Sequence, residues 1–203
     1  MNILKTAEKI LPLLFWVLLI FAFDAPVFAI FTILAALIHE GGHVLFGLIA
    51  GEARLLPSAH PTGFRIKAAK SMSYKAELLL LIGGPVLNFI AFFALKTLFC
   101  ISGDTLIYDF AFINLLTALT NLFPIKGYDG YRIIESIILI TKEDGFISLF
   151  ILRALSFLFT SLLCFLSLYF LLKLGEGYWI FALFFSSLFI DIKKLASDNV
   201  FGE

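Results

Sequence analysis

The sequence predicts an all-α polytopic membrane protein with six transmembrane helices. Three observations carry this expectation. Hydrophobic residues make up 61% of the 203 residues, well above the roughly one half of an ordinary soluble domain. Apolar stretches close to spanning length recur along the whole chain. Basic residues gather on alternate connections between those stretches, which is the charge bias of cytosolic loops.

The stretches run as follows. A polar lead with Lys5 and Lys9 precedes Ile10–Phe23. A basic start and a short apolar core also describe a signal peptide. No small-x-small cleavage site follows, however, and another apolar run begins at once, so a first span is expected there. The second, Pro26–Ala50, opens on a proline suited to a helix first turn and is followed by Gly51, suited to a helix end. The polar loop 51–75 alternates at Phe64-Arg65-Ile66-Lys67, which allows a short strand at the membrane surface. The third span is Ala76–Ile101, in which Gly83-Gly84-Pro85 is expected to interrupt the regular helix. The fourth is Leu106–Phe123. It runs on through a proline break at Pro124 to Asp129-Gly130, so that the three inner spans cover about 26–50, 76–101 and 106–130. A short amphipathic surface helix follows over 131–145, then spans five (Phe146–Leu174) and six (Tyr178–Leu195). No linker divides the chain, and residues 1–203 read as one integral-membrane domain.

Charge sets the orientation. With a cytosolic amino terminus, twelve of the 15 basic residues fall on the inner side: Lys5, Lys9, Arg54, Arg65, Lys67, Lys70, Lys75, Lys126, Arg132, Lys142, Lys193 and Lys194. Lys96, Arg153 and Lys173 lie within spans, and the outer connections hold only acids such as Asp24, Asp104 and Glu176. Both termini are therefore expected in the cytosol. A net charge of zero gives no electrostatic basis for binding nucleic acid. Cys100 and Cys164 sit in separate apolar segments, with no metal-binding or disulfide spacing, and read as packing residues.

Inside the second span lies His39-Glu40-Gly41-Gly42-His43. On a helix, residues four apart share a face one turn apart, so the two imidazoles are placed to share a tetrahedral metal ion. Glu40 lies beside them, placed to take a proton from water. The same pattern also occurs on solvated faces of soluble helices. In an apolar span no water renders it harmless, because an intramembrane Glu costs roughly 2.5–3.5 kcal/mol even on lenient scales. A catalytic zinc needs a third protein ligand and an open position. Asp129 is the best candidate. The inferred topology puts it at the same inner depth as His39 and His43, whereas a lone Asp-Gly would read as a turn. His60 reads as a surface loop residue.

Three features in order give the chain a specific resemblance: His-Glu-x-x-His at 39–43, Gly-Gly-Pro-x-x-Asn at 83–88, and Asn-x-x-Pro leading to Asp-Gly at 121–130. It resembles the site-2 protease family of intramembrane zinc metalloproteases, and within it the compact sporulation-protease-like branch that lacks a PDZ module. No carboxy-terminal CBS domain is expected after span six. The resemblance implies a three-helix catalytic core and one zinc per chain held by His39, His43 and Asp129. It makes Glu40 the catalytic base and acid, and gives Asn88 and Asn121 to the substrate strand or the developing oxyanion. Each asparagine has a plainer reading as a helix–helix hydrogen bond. Tyr131 after Asp-Gly, and Lys126 and Gly127 in the loop, depart from the residues common among relatives and bear on access to the site.

The expected activity is hydrolysis of a peptide bond within or near a transmembrane segment of a membrane protein, in the cytosolic half of a bacterial plasma membrane. A helical substrate hides its carbonyls and must unwind, and the alternating stretch at 64–67 is suited to receive it as an added strand. Two other classes remain open from sequence: a catalytically silent scaffold for a membrane partner, indifferent to Glu40→Gln, and a metal transporter, which would carry metal into liposomes. Oligomeric state leaves no mark in the sequence.

Overall fold

A computed structural model describes residues 26–51, 72–141 and 145–174, the backbone of 55–60 and 63–68, and positions 184–185, 188–189 and 192. The expected first span, Ile10–Phe23, both termini, and all but five positions of the sixth span lie outside the described residues.

Helix α1 spans Pro26–Ile49. It ends at Gly51, whose φ of 87° is a left-handed conformation suited to glycine, and whose N–H donates to the Leu48 carbonyl at 3.0 Å. Strands β1 (Leu55–His60) and β2 (Gly63–Ala68) then pair antiparallel, His60 opposite Gly63 and Leu55 opposite Ala68. β2 lies alongside α1. Helix α2, Tyr74–Ser102, is capped by Ser73, whose Oγ accepts from the Ala76 N–H at 3.3 Å. It closes on Gly103 at φ 69°, and Asp104 at once caps α3, Thr105–Asn121, through the Leu106 N–H at 2.9 Å. Two residues thus reverse the chain into an antiparallel helix pair. Helix α4 covers Asp129–Thr141 and α5 covers Phe146–Leu174.

Helix α2 is the hub: α1, α3 and α4 all pack on it, α1 also meets α3, and α5 packs on α4. The contacts are made by small or modest side chains: Ala29 and Ala35 on α1, Leu80 and Leu81 on α2, Ala111 and Ala118 on α3. That is how helices gain dispersion contact in a medium where no hydrophobic force drives them together. Large apolar side chains point outward instead, among them Leu37, Phe93 and Phe165, as a lipid-facing surface requires. Among the described residues, α1, α2 and α5 are long and apolar enough to cross a membrane. α3 has 17 residues, about 25 Å at 1.5 Å per residue.

The structure differs from the sequence expectation at two points. Helix α2 runs unbroken through Pro85. Proline removes one N–H from the ladder, but the turns on both sides are held by packing against three neighbours. And Asp129 opens α4 instead of ending the preceding span. The chain leaves α3 at Leu122 and turns through Ile125, whose carbonyl accepts from the Tyr128 N–H at 3.0 Å, with Gly127 at φ 106°. The Lys126 N–H donates to Ser156 Oγ of α5 at 2.7 Å, tying this turn to the last described helix.

α1 and α2 approach closely at Gly42 and Gly83, where an added Cβ on Gly42 would run into the Gly83 carbonyl and the Gly84 Cα. Backbone cannot yield there as a flexible side chain would. Gly42→Ala is expected to cost about 1–3 kcal/mol, the range for overpacking a tight contact, and to lower the unfolding midpoint in detergent. An unchanged midpoint would contradict this packing.

Candidate metal centre

The site is assembled at the place where α1 crosses α2. His39 and His43 lie one turn apart on the buried face of α1, 5% and 4% exposed, with ring centroids 4.8 Å apart and planes near perpendicular. Gly84 of α2 forms the wall beside them: a Cβ at that position would stand 2.6 Å from His43 Cε1 and 2.7 Å from His39 Cε1. Only a residue without a side chain lets both rings occupy this space.

Each ring is oriented from behind. His43 Nδ1–H donates to the Leu80 carbonyl at 2.9 Å, and His39 Nδ1–H donates to Asn88 Oδ1 at 2.8 Å. Asn88 leaves no ambiguity about the donor, because its Nδ2 gives its hydrogens to the Ala35 carbonyl at 3.0 Å and to Asn114 Oδ1 at 2.9 Å. With Nδ1 protonated, each neutral ring turns a bare Nε2 lone pair forward.

Asp129 meets both. Its Oδ2 stands 2.9 Å from His39 Nε2 and 3.1 Å from His43 Nε2, joining positions 90 residues apart. Gly130 makes this close return feasible, since a Cβ there would strike the Leu122 carbonyl. The carboxylate also sits at the amino end of α4, where the helix dipole favours negative charge. Arg132, one turn on, pairs with Glu77 in the first turn of α2 and so anchors α4 beside the site.

Two imidazole lone pairs and a carboxylate oxygen repel at this range unless a cation lies among them. Their donor atoms are mutually within 4.8 Å and all three residues are buried. A tetrahedral zinc with bonds of about 2.0–2.2 Å spaces its ligands by about 3.3–3.6 Å, so small adjustments accommodate one. Hydrogen bonds behind both histidines are the usual support of metal-bound imidazole. The residues present therefore fit a zinc ion held by His39, His43 and Asp129. Glu40 follows His39 on α1 with Oε2 buried.

The remaining sequence candidates lie as follows. Asn88 is 0% exposed and bonded to His39, Ala35 and Asn114, which is the helix–helix hydrogen bonding that was its plainer reading, and it stands behind the metal ligand. Asn121 closes α3, half-buried, with Nδ2 bonded to the Thr117 carbonyl of its own helix at 2.9 Å. The side chain of His60 lies outside the described residues. Asn114 was not singled out from sequence. An amide inside an apolar run was the available signal, since such a group must find a partner, and the structure buries it completely.

Gly84→Ala is expected to push one or both rings off the Asp129 carboxylate and weaken zinc binding by about 10-fold or more, the scale of support-shell defects. Metal analysis after dialysis of the purified protein checks this, and full zinc retention would contradict the packing described.

No family model matches the chain, and no curated protein matches it in sequence. Among solved structures it is similar to the "Site-2 Protease from Methanocaldococcus jannaschii", with a TM-score of 0.59, 22% sequence identity, and coverage of 91% of this chain and 86% of that one. At this identity the likeness is one of fold, and it agrees with the resemblance carried by the three motifs. The chain has the fold of a site-2 protease.

Proposed function

We propose that this protein is a zinc metalloendopeptidase of the site-2 protease family that cuts a membrane-protein substrate within or near a transmembrane segment, as in regulated intramembrane proteolysis. The observation that carries the reading is the meeting of Asp129 Oδ2 with Nε2 of both His39 and His43 in a buried site. A scaffold has no need to gather these groups, and a transporter has no need of a base beside them.

Zinc, when bound, supplies a Lewis acid for the scissile carbonyl and makes water a nucleophile near neutral pH. His39, His43 and Asp129 hold it, one per chain. Glu40 accepts the proton released by the attacking water and delivers it to the leaving amine. Apolar helix surface around the site excludes bulk water and strengthens each electrostatic contact. Asn121, half-exposed at the end of α3, is the amide we assign to the substrate backbone. On the charge bias, both termini lie in the cytosol and the site in the inner half of a bacterial plasma membrane.

The substrate needs a place to lie extended, and the hairpin offers one edge better than the other. Pro57 has no N–H, so its pair with Ile66 is a non-hydrogen-bonded one. Alternation then turns the N–H and C=O of Phe64, Ile66 and Ala68 away from β1. The outer edge of β1 is blunted by Pro57, whereas the outer edge of β2, the strand alongside α1, keeps its donors. Substrate adds to β2. Prolines at 65 and 67, whose N–H groups point to β1, would disrupt the hairpin itself, so Ile66→Pro is the cleaner probe.

Co-expression with single-span membrane proteins tests the activity. Glu40→Gln is expected to keep zinc and lower cleavage by at least about 100-fold, and chelation followed by zinc addition is expected to abolish and restore it. Cleavage undiminished in Glu40→Gln would overturn the peptidase reading, and zinc flux into liposomes would favour transport. Ile66→Pro is expected to slow cleavage while leaving zinc content unchanged. Equal rates for Ile66→Pro and wild type would remove the β2 edge from the account.

A further inference from the structure

The two metal-site histidines are supported in different ways. His43 rests on the Leu80 carbonyl, a backbone group that only accepts and cannot turn round. His39 rests on Asn88, a side-chain amide whose oxygen and nitrogen are nearly the same size and can exchange places. Turned over, Asn88 would offer an N–H to His39 Nδ1. That ring would then carry its proton on Nε2, where the metal must bind. Something has to fix the orientation of Asn88.

The geometry points to Asn114 as a positioning residue of the metal centre, acting through Asn88 to hold His39 in the tautomer that presents a bare Nε2. This inference rests on the zinc reading above. Asn88 Nδ2 donates to two oxygens, the Ala35 carbonyl of α1 and Asn114 Oδ1 of α3. Asn114 is itself oriented, because its Nδ2 donates to the Phe110 carbonyl at 2.9 Å. A flipped Asn114 would set oxygen against oxygen there. The chain of donors therefore begins at backbone carbonyls that can only accept, passes through two amides, and ends as an acceptor facing His39 Nδ1. Asn88 and Asn114 are both 0% exposed, so no solvent replaces a lost partner. A plain α2–α3 tether would need one bond of either polarity. Here these bonds are polarised in series so that the final group is an oxygen.

The test uses the full-length protein in detergent, with zinc competed against a chelating indicator and the histidine ring nitrogens read by 15N NMR. Asn114→Leu keeps approximate volume and removes the acceptor. It is expected to weaken zinc affinity by about 10–100-fold and to give His39 a mixture of ring tautomers. Asn114→Asp, as a neutral buried acid, keeps an acceptor for Asn88 and a donor for the Phe110 carbonyl, and is expected to stay close to wild type. Thr120→Val, whose hydroxyl bonds carbonyls of its own helix, sets the baseline for polar loss on α3. Wild-type affinity with a single tautomer in Asn114→Leu would overturn the inference, as would equal losses in Asn114→Leu and Asn114→Asp. Should Asn114→Leu fail to fold, Asn114→Ala, which also lacks the acceptor for Asn88, takes its place, with the same supporting and overturning results. Wild-type protein that takes up no zinc would instead sink the parent reading, a result distinct from equal zinc binding by wild type and Asn114→Leu.

Discussion

Everything in this fold turns on a carboxylate that must not be left alone. Asp129 is buried among apolar helices, where an unpaired charge is costly. Two imidazoles face it, and it opens a helix whose dipole favours negative charge. The same proximity is unfavourable for neutral rings with their lone pairs forward, and a divalent ion resolves both problems at once. Metal binding and the docking of the start of α4 beside α2 are thus coupled, and the site would loosen if either were lost.

The scaffold serves that meeting by removing bulk. Gly42 and Gly83 bring two backbones into contact, Gly84 leaves room for two rings, and Gly130 lets α4 start against the end of α3. None of these positions contributes a functional group. Each removes a Cβ that would separate the ligands. Polar groups are then spent on orientation: Leu80, Asn88 and Asn114 behind the histidines, Arg132 with Glu77 beside α4, and Ser156 at the turn that delivers Asp129. Outside this narrow zone the helices show lipid large apolar side chains.

Much of this was legible in the sequence because it rests on local regularities. His39 and His43 declare their shared face through helical spacing. Glu40 is conspicuous because lipid tolerates it poorly. Asp129 was reachable through charge topology and the motif that carries it. What local pattern does not encode is where a side chain's partner comes from. For Asn88 the resemblance offered the substrate and the residue type offered a helix–helix bond, because an amide in an apolar span advertises hydrogen bonding without saying with what; its bonds run to His39, Ala35 and Asn114. Asn114 belongs to no local pattern, and its partner lies 26 residues away on another helix. Pro85 suggested a break, yet packing on several sides of α2 outweighs one lost N–H. The proline at 57 gave no hint of edge selection until the register with β2 was known.

On the proposed reading, two imidazole nitrogens and one carboxylate oxygen bind a single zinc. X-ray absorption at the zinc edge of the purified full-length protein tests it most directly. A shell of about four nitrogen and oxygen neighbours near 2.0–2.1 Å with imidazole scattering is expected in wild type, lost or reorganised in Asp129→Ala. A zinc environment indifferent to Asp129→Ala, or one built on sulfur, would contradict it.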